Sequence, residues 1–454
     1  MTERLKACAA ILIFVTFCLS SCQNPIEPND PKQDLNRLLS DSELITPADP
    51  NAPLEDQVWI DWIQENHFPI RSLISNDYSD LQMLKPLLQG KRIVQLGESG
   101  HGVSEFSQGK VRLIKFLHSE MAFDIIAFES SIFECFYANR LITPNEAMSH
   151  SIFDFWNTSE VLPLFEYIIE TKGTNRPLIL AGLDLQISSH QGARNRPQFF
   201  KEIIEEINTD YARRVFILDS TFVREWQSPA TGYDLIYNNT ALLVAAYDSL
   251  TAFFESNQNF LSEIYVLDPY IPLIALQSAR SIQAFIQLNL ANTLDKRIRI
   301  RARAMADNLN SLLTKIYPDK KIIIWAHNSH VRHNNAEVTP NPVETMGTWI
   351  SEQYRSELYT IGLYMYRGQA ADLEQQIYNI SQAKSGSLES IAYRVRKKYH
   401  LIELSRQLRT DGNSWIFEPI IAKAWGVNEK RMVLKDQYDA ILFVDTVTPP
   451  SYIP

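Results

Sequence analysis

Six short runs of β-branched and other apolar residues recur along the chain, and helical patterns separate them. The runs span 92–96, 124–128, 178–182, 321–325, 359–363 and 440–444. Continuous apolar runs of this length are typical of parallel strands that are covered on both faces. Their alternation with helices predicts an α/β fold with a mostly parallel central sheet flanked by helices.

Helical patterns occupy the connections between these predicted strands. They cover 103–120 after the first strand, 159–172 before the third and 299–316 before the fourth. Between 195 and 294 no strand pattern is convincing, and amphipathic stretches at 233–254 and 270–288 predict helices instead. The sequence therefore predicts a helical insertion or cap over about 195–295, which either walls a substrate cleft or serves as scaffold.

Four of the predicted strands end on side chains that can carry chemistry. These are Glu98 and His101, Glu129, Asp184 and Gln186, and His327 and His330. A single acid at a strand end is usually a helix cap or an ion-pair partner, but three carboxylates and three histidines together favour a shared site. In open α/β sheets, ligands bind beyond the carboxyl ends of the strands. An active site is therefore predicted at this edge of the sheet.

Histidine is the natural general base near neutral pH, and a carboxylate beside it fixes the tautomer of its ring. The chain has no Gly-x-Ser-x-Gly elbow, no Walker loop and no Rossmann glycine pattern, which leaves direct attack by water. His327 and His330 with Glu98 and Glu129 could ligate a metal, but His-Glu-x-x-His is absent and His-x-x-His is not diagnostic. We therefore favour a site that uses neither metal nor cofactor.

The first residues predict an exported lipoprotein. A basic start is followed by an apolar run at 7–19 that is too short to span a membrane comfortably. This run leads into Leu19-Ser20-Ser21-Cys22, which matches a bacterial lipobox, so we expect a lipid anchor on Cys22. The alternative is an ordinary signal peptide that happens to contain a cysteine. Asn24, at the second position after the acylated cysteine, favours the outer membrane of the cell envelope.

The predicted organisation is a signal peptide at 1–21, a lipidated Cys22 with a disordered tether at 22–55, and a catalytic domain at 56–454. Cys8 and Cys18 leave with the signal, so Cys135 has no possible disulfide partner and is expected to be buried. The formal net charge of −10 argues against nucleic acid as a partner. The expected partners are a small molecule and, through Cys22, the membrane.

The motifs of this chain resemble those of the erythromycin esterase family. The first motif of that family, Gly-Glu-x-x-His-(Gly)-x-x-Glu-Phe, is similar to the residues from Gly97 to Phe106, and its second histidine motif is similar to those from Trp325 to Val331. Three further blocks follow the family order: Phe128-Glu129, Gly182-Leu183-Asp184-Leu185-Gln186, and the Arg-x-x-x-Met-Ala helix that begins at Arg301. The resemblance covers about 84–444.

The resemblance implies hydrolysis of a small-molecule ester, typically a macrolide lactone. It makes His101 the base that activates water, with Glu98 and Glu129 orienting it or stabilising its charge. Glu105 would bind the water, the histidine or a basic partner. His327 and His330 would polarise the carbonyl group or donate a proton. The residues assigned to substrate binding are Lys110, Arg112, Asp184, Gln186 and Arg301.

Two departures from the family pattern bear on the substrate. Several members have arginine where this chain has Lys110, and lysine does not replace a forked guanidinium that clamps a carboxylate. Either Arg112 takes that role or the substrate contact differs. The lipoprotein signal favours an envelope or environmental substrate over a drug.

Other functional classes stay open from the residues alone. One is a metal- or haem-binding envelope lipoprotein, or a metal-dependent hydrolase, on the same fold. Another is an adhesion protein that has lost the chemistry, although all the strand-end residues are present. A peptidase or amidase is chemically adjacent, because activated water also attacks amides when the leaving group is protonated.

Overall fold

A computed structural model describes residues 37–228 and 232–453. The predicted signal peptide, Cys22 and the first part of the predicted tether lie outside the described residues. Within the described part, no helix is both long enough and apolar enough to cross a membrane. The predicted domain boundaries at 21 and 55 stay predictions.

The strands of the described residues lie in one large sheet and one hairpin. They are β1 (Phe68–Pro69), β2 (Ile93–Glu98), β3 (Ile125–Ser131), β4 (Ile179–Asp184), β5 (Ile322–His327), β6 (Leu358–Ala371), β7 (Ile377–Asn379), β8 (Tyr399–Glu403), β9 (Pro419–Ala424), β10 (Asn428–Val433) and β11 (Ala440–Val447). The large sheet has the order β1-β8-β11-β6-β2-β5-β3-β4, with β7 paired to β6, and β9 pairs with β10.

The predicted fold class is confirmed, because the six predicted strands form the parallel block β11-β6-β2-β5-β3-β4. The strands that were not predicted all pair antiparallel to a neighbour. Several of them are short or exposed, such as the two residues of β1 and the three of β7, so they carry little apolar signal.

Helices cover both faces of this sheet. They are α1 (Gln57–Glu65), α2 (Leu84–Leu87), α3 (Ser104–Met121), α4 (Ile132–Ala138), α5 (Pro144–Ser149), α6 (Leu162–Thr171), α7 (His190–Ala193), α8 (Arg196–Glu205), α9 (Thr209–Trp226), α10 (Gly232–Asn238), α11 (Thr240–Ile264), α12 (Ile271–Leu290), α13 (Leu294–Ser311), α14 (Asn328–Val331), α15 (Met346–Tyr354) and α16 (Leu388–Tyr393). Short helical turns lie at Ser79–Leu81, Asp154–Trp156, Leu312–Ile316, Asn335–Glu337, Asp411–Ile416 and Leu434–Asp436.

Strand side chains alternate between two apolar layers. In β5, Ile322 and Ile324 pack with α8 to α13, whereas Ile323 and Trp325 pack with α3 and α6. This alternation follows from the two-residue period of a strand, and burial on both sides explains the continuous apolar runs. Cys135 lies buried on α4, as expected.

The helices from α8 to α12 occupy the segment predicted as an insertion. Its apolar side chains join the same buried layer as those of β3, β4 and α13. The long helix α12 contacts α13 and α4 rather than projecting from the body. This segment is therefore scaffold for one face of the sheet.

The strand order reverses beside β2, which positions the site. From β2 the chain crosses to β3 and β4, returns to β5 between β2 and β3, and then passes to β6 on the other side of β2. The crevice at such a reversal opens at the carboxyl ends of the strands. The chain packs so closely there that residue 97 has no room for a side chain: a Cβ atom on Gly97 would lie 2.1 Å from Asn328 Oδ1.

Candidate active site

The carboxyl ends of four neighbouring strands deliver the predicted site residues to one place. β2 ends at Glu98 with His101 just beyond, and β5 ends at His327. Glu129 lies in β3 and Asp184 ends β4. The two rings of His101 and His327 lie with their centroids 5.2 Å apart, which places the two predicted histidine motifs in direct contact.

His101 is oriented by Glu98. Its Nδ1 lies 2.7 Å from Glu98 Oε1, and the carboxylate is fully buried. Because a carboxylate accepts, Nδ1 carries the proton and the lone pair is on Nε2. Among the described residues no group hydrogen-bonds to Nε2, and the histidine side chain is 8% exposed. This is the arrangement of a general base held in one tautomer.

Lys110 lies beneath this pair on α3. Its Nζ is 2.7 Å from Glu98 Oε2, donates to the carbonyl oxygen of Ala326 at 3.2 Å and lies 4.7 Å from the centre of the Trp325 ring. Burial lowers the pKa of Lys110 to about 8, although Glu98 opposes the change. The ammonium is fully buried, so the prediction that Lys110 contacts substrate is corrected: it holds the carboxylate that holds His101.

Neutralising Lys110 should therefore reduce turnover. Above about pH 8 the ammonium loses its proton and Glu98 loses its counter-charge, so kcat of the wild type should fall there. Lys110→Met keeps the apolar stem, and its lower kcat should show no such alkaline decline. The measurement is kcat of each protein across a pH series. The control is Lys115→Met on the same helix, because the ammonium of Lys115 lies over the Tyr167 ring. This control should keep the pH profile of the wild type. An unchanged alkaline decline in Lys110→Met would contradict this assignment.

A second buried charge cluster centres on Glu129. Its Oε1 lies 2.7 Å from Arg301 and 3.1 Å from His330 Nε2, and its Oε2 accepts from the backbone N–H of His327 at 2.8 Å. Burial would raise the pKa of Glu129, but His330 and Arg301 hold this pKa well below its ordinary value. Glu129 is therefore a carboxylate throughout the neutral range, and it fixes His330 and the end of β5.

Arg301 joins Glu129 to Asp184. Its Nη2 lies 2.5 Å from Asp184 Oδ2, and its Nε lies 3.2 Å from the same atom. Asp184 is fully buried and also accepts from the backbone N–H of Leu185, so it serves as a partner of Arg301 rather than a substrate contact. The Arg301 side chain is 24% exposed. Gln186 donates its backbone N–H to Asp184 Oδ1 at 3.4 Å. Its side chain is half-buried and makes no hydrogen bond among the described residues.

His327 is neutral and its tautomer is fixed. Burial, together with the neighbouring His101, lowers the pKa of His327 well below its ordinary value. Nδ1 accepts from the backbone N–H of Ser329 at 3.2 Å, and Nε2 lies 3.3 Å from the carbonyl oxygen of Ser99. Because that carbonyl can only accept, the proton is on Nε2.

Two other predicted site residues have partners elsewhere. Both carboxylate oxygens of Glu105 accept hydrogen bonds from Thr448. One accepts from the backbone N–H of Thr448 at 2.8 Å and the other from the Thr448 hydroxyl at 2.9 Å. Arg112 uses its donors on the loop at 72–80, including the carbonyl oxygens of Ser72 and Ser75 and the carboxylate of Asp80. The structure therefore corrects both predictions: Glu105 holds the C-terminal residues and Arg112 anchors a loop.

Aromatic rings around His101 were not predicted. Phe155 stacks on the imidazole with centroids 4.8 Å apart, and Trp156 and Trp425 meet it edge-on at 5.0 and 5.2 Å. Trp425 also stacks on His327 at 5.7 Å. Its φ of +58° lies in the left-handed region, at the turn between β9 and β10. Apart from aromatic composition, the sequence around these residues gives no signal of a contact with His101.

No three His, Cys, Asp or Glu side chains in residues 37–228 and 232–453 are arranged to hold a metal ion. The carboxylates of the site bind lysine, arginine and histidine instead. The charged side chains of the site therefore form two clusters of ion pairs. One consists of Glu98, His101 and Lys110, and the other of Glu129, His330, Arg301 and Asp184.

Comparison with known proteins decides the family. Residues 118–447 match the family model described as Erythromycin esterase, which is well over half of the chain. The chain belongs to the erythromycin esterase family. The resemblance inferred from the motifs is thereby confirmed, and the matched segment includes Glu129, Asp184, Arg301 and His327.

Two relatives match most of the chain of this family member. "Putative hydrolase YbfO" of Bacillus subtilis strain 168 is 30% identical over 435 residues, covering 89% of this chain and 95% of that protein. Erythromycin esterase type II of Escherichia coli is 20% identical over 364 residues, covering 72% and 84%. These names support a hydrolase.

Solved structures support the fold. A Bacillus cereus protein superposes with a TM-score of 0.75 at 19% identity, covering 90% of this chain and 100% of its own. An erythromycin esterase mutant in its open conformation has a TM-score of 0.65 at 18% identity, covering 83% and 96%. At these identities the likeness concerns the architecture alone.

Proposed function

We propose that this family member hydrolyses a carboxylic ester by means of water that His101 activates. The observation that carries the proposal is the contact between His101 Nδ1 and buried Glu98, which leaves Nε2 as the reactive nitrogen. A histidine held in this way is suited to take a proton from water near neutral pH. The tautomer is fixed before any substrate arrives.

In the proposed reaction, Nε2 of His101 takes a proton as the water oxygen attacks the ester carbonyl carbon. The positive charge of the imidazolium that forms is stabilised by the Glu98 carboxylate. The second oxygen of this carboxylate forms an ion pair with Lys110. When the tetrahedral intermediate collapses, the C–O bond to the alcohol breaks and His101 returns the proton to the leaving oxygen. The products are a carboxylic acid and an alcohol, and no covalent enzyme intermediate is required.

His330 is the residue we propose for stabilising the carbonyl oxygen. Its Nε2 lies 3.1 Å from Glu129, and its Nδ1 is buried without a hydrogen-bond partner among the described residues. Because Nε2 faces this carboxylate, Nδ1 carries a proton only in the imidazolium form of the ring. In that form, with Glu129 as its counter-ion, Nδ1–H can bind the developing oxyanion. His327 has both nitrogens engaged by Ser329 and Ser99, so it packs beside His101 and shapes the site.

The proposed substrate is a small-molecule ester, with a macrolide lactone as one member of this class, since two E. coli relatives are named erythromycin esterases. The test is hydrolysis of a panel of macrolides, simple aryl esters and matched amides by the purified protein, with and without EDTA. We expect turnover of at least one ester, retention of that turnover in EDTA and no cleavage of the amides. Failure on every ester, or loss of turnover in EDTA, would contradict the proposal.

We further propose that the mature protein is anchored in the bacterial envelope, in the outer membrane, through lipid on Cys22. The proposal rests on the lipobox sequence, which lies outside the described residues. Cys22→Ser should move the protein from the membrane fraction to the soluble fraction and abolish labelling by a radioactive fatty acid. Cys18→Ser, inside the predicted signal, is the matched control and should leave both unchanged. Equal labelling of the two variants would contradict the anchor.

A further inference from the structure

The short helical turn Asp154–Trp156 contacts both members of the His101–Glu98 pair. Trp156 Nε1 donates to Glu98 Oε1 at 3.0 Å, which is the oxygen that also accepts from His101 Nδ1 at 2.7 Å. The neighbouring ring of Phe155 covers one face of the imidazole, with 25° between the two planes. Two successive side chains thus fix the acid and the base of the site.

The C-terminal residues hold this turn in place. The backbone N–H of Ile453 donates to the carbonyl oxygen of Asn157 at 2.9 Å, and that of Ser159 donates to the carbonyl oxygen of Ser451 at 2.9 Å. The Ser451 N–H in turn donates to the carboxylate of Glu160 at 3.1 Å. Residues 451–453 therefore run along the chain that directly follows the turn.

We propose that Phe155 and Trp156 are positioning residues for His101 and Glu98. The kinetic consequence rests on the ester hydrolysis proposed above. A second donor on Glu98 Oε1 keeps the carboxylate in the plane where it accepts from His101. The stacked ring prevents the imidazole from tilting, and its π face stabilises the imidazolium that forms when the base takes a proton.

The chain provides a matched control two residues away. Phe153 stacks on Phe155 with centroids 5.1 Å apart and 12° between the planes, but it has no described contact with His101 or Glu98. Phe155→Leu and Trp156→Phe should each lower kcat by about 10- to 100-fold with little change in KM, because a misplaced base slows the chemical step more than binding. Phe153→Leu should stay close to the wild type in both constants.

A second measurement needs no substrate. Diethyl pyrocarbonate acylates the imidazole nitrogen of exposed histidines, and peptide mass spectrometry gives the rate of this reaction at His101. Phe155→Leu uncovers one face of the ring and should raise that rate, whereas Phe153→Leu should leave it unchanged; circular dichroism establishes that each variant is folded.

These two readouts separate the outcomes. Equal acylation rates of His101 in the wild type and Phe155→Leu, or the same loss of kcat in Phe153→Leu, would show that the turn only packs. If the wild type cleaves no ester, the proposed function fails, and the acylation comparison still decides whether Phe155 positions His101.

Discussion

His101→Asn should abolish ester hydrolysis while leaving the fold intact. Removing a general base typically costs about 100- to 10,000-fold in rate. Asparagine retains a polar side chain that can face Glu98, and the surrounding rings of Phe155, Trp156 and Trp425 keep their packing. We therefore expect kcat/KM to fall by about this factor, with an unfolding midpoint close to that of the wild type.

The control for this variant is the same substitution at another histidine. His150 lies at the end of α5, where its Nδ1 is 2.8 Å from the carbonyl oxygen of Glu146, and it has no described contact with the site. His150→Asn should retain wild-type turnover. Near-normal turnover by His101→Asn, or an equal loss in His150→Asn, would show that His101 is not the base.

The sequence predicted the parallel half of the fold and the central residues of the site because both depend on short stretches of chain. A strand buried on two faces is a continuous apolar run, and the residue that follows it must lie at the carboxyl edge of the sheet. Glu98, Glu129 and His327 were placed by this argument alone. Their mutual contacts then followed from the strand order around β2.

The parts that the sequence did not predict depend on contacts between distant segments. Phe155 reaches His101 from a turn about fifty residues away along the chain, and Trp425 reaches it from the β9–β10 hairpin. Lys110 and Arg112 are two residues apart on α3, so their side chains leave different faces of the helix and meet different partners. Neither periodicity nor motif spacing contains this information.

Arg301→Met should cause a large loss of stability. The guanidinium lies between two carboxylates, Glu129 and Asp184, whose side chains are only 3% and 0% exposed. Removing one partner of a buried ion pair leaves an uncompensated charge and typically costs about 3–5 kcal/mol of unfolding free energy. We expect a loss of this size in urea unfolding at neutral pH, with loss of activity, because Glu129 also positions His330.

Arg303→Met is the matched control, since Arg303 lies on the same helix and pairs with Asp307 at the surface. That exposed pair should contribute less than about 1 kcal/mol to the free energy of unfolding.

The pH dependence of the stability provides a sharper test of the charge on Arg301. The pKa of Glu129 is held below its ordinary value of 4.5, so its contribution to stability is present above that value and is lost as pH falls through the lower, folded pKa. Arg301→Met removes one of the two cations that hold this pKa down, so Glu129 of the folded variant takes up a proton at a higher pH than in the wild type. The difference in unfolding free energy between the two proteins should therefore shrink as the pH is lowered from about 7 to below 4.5. A difference that stays constant over this range would mean that Arg301 stabilises the fold through packing of its side chain rather than through its charge.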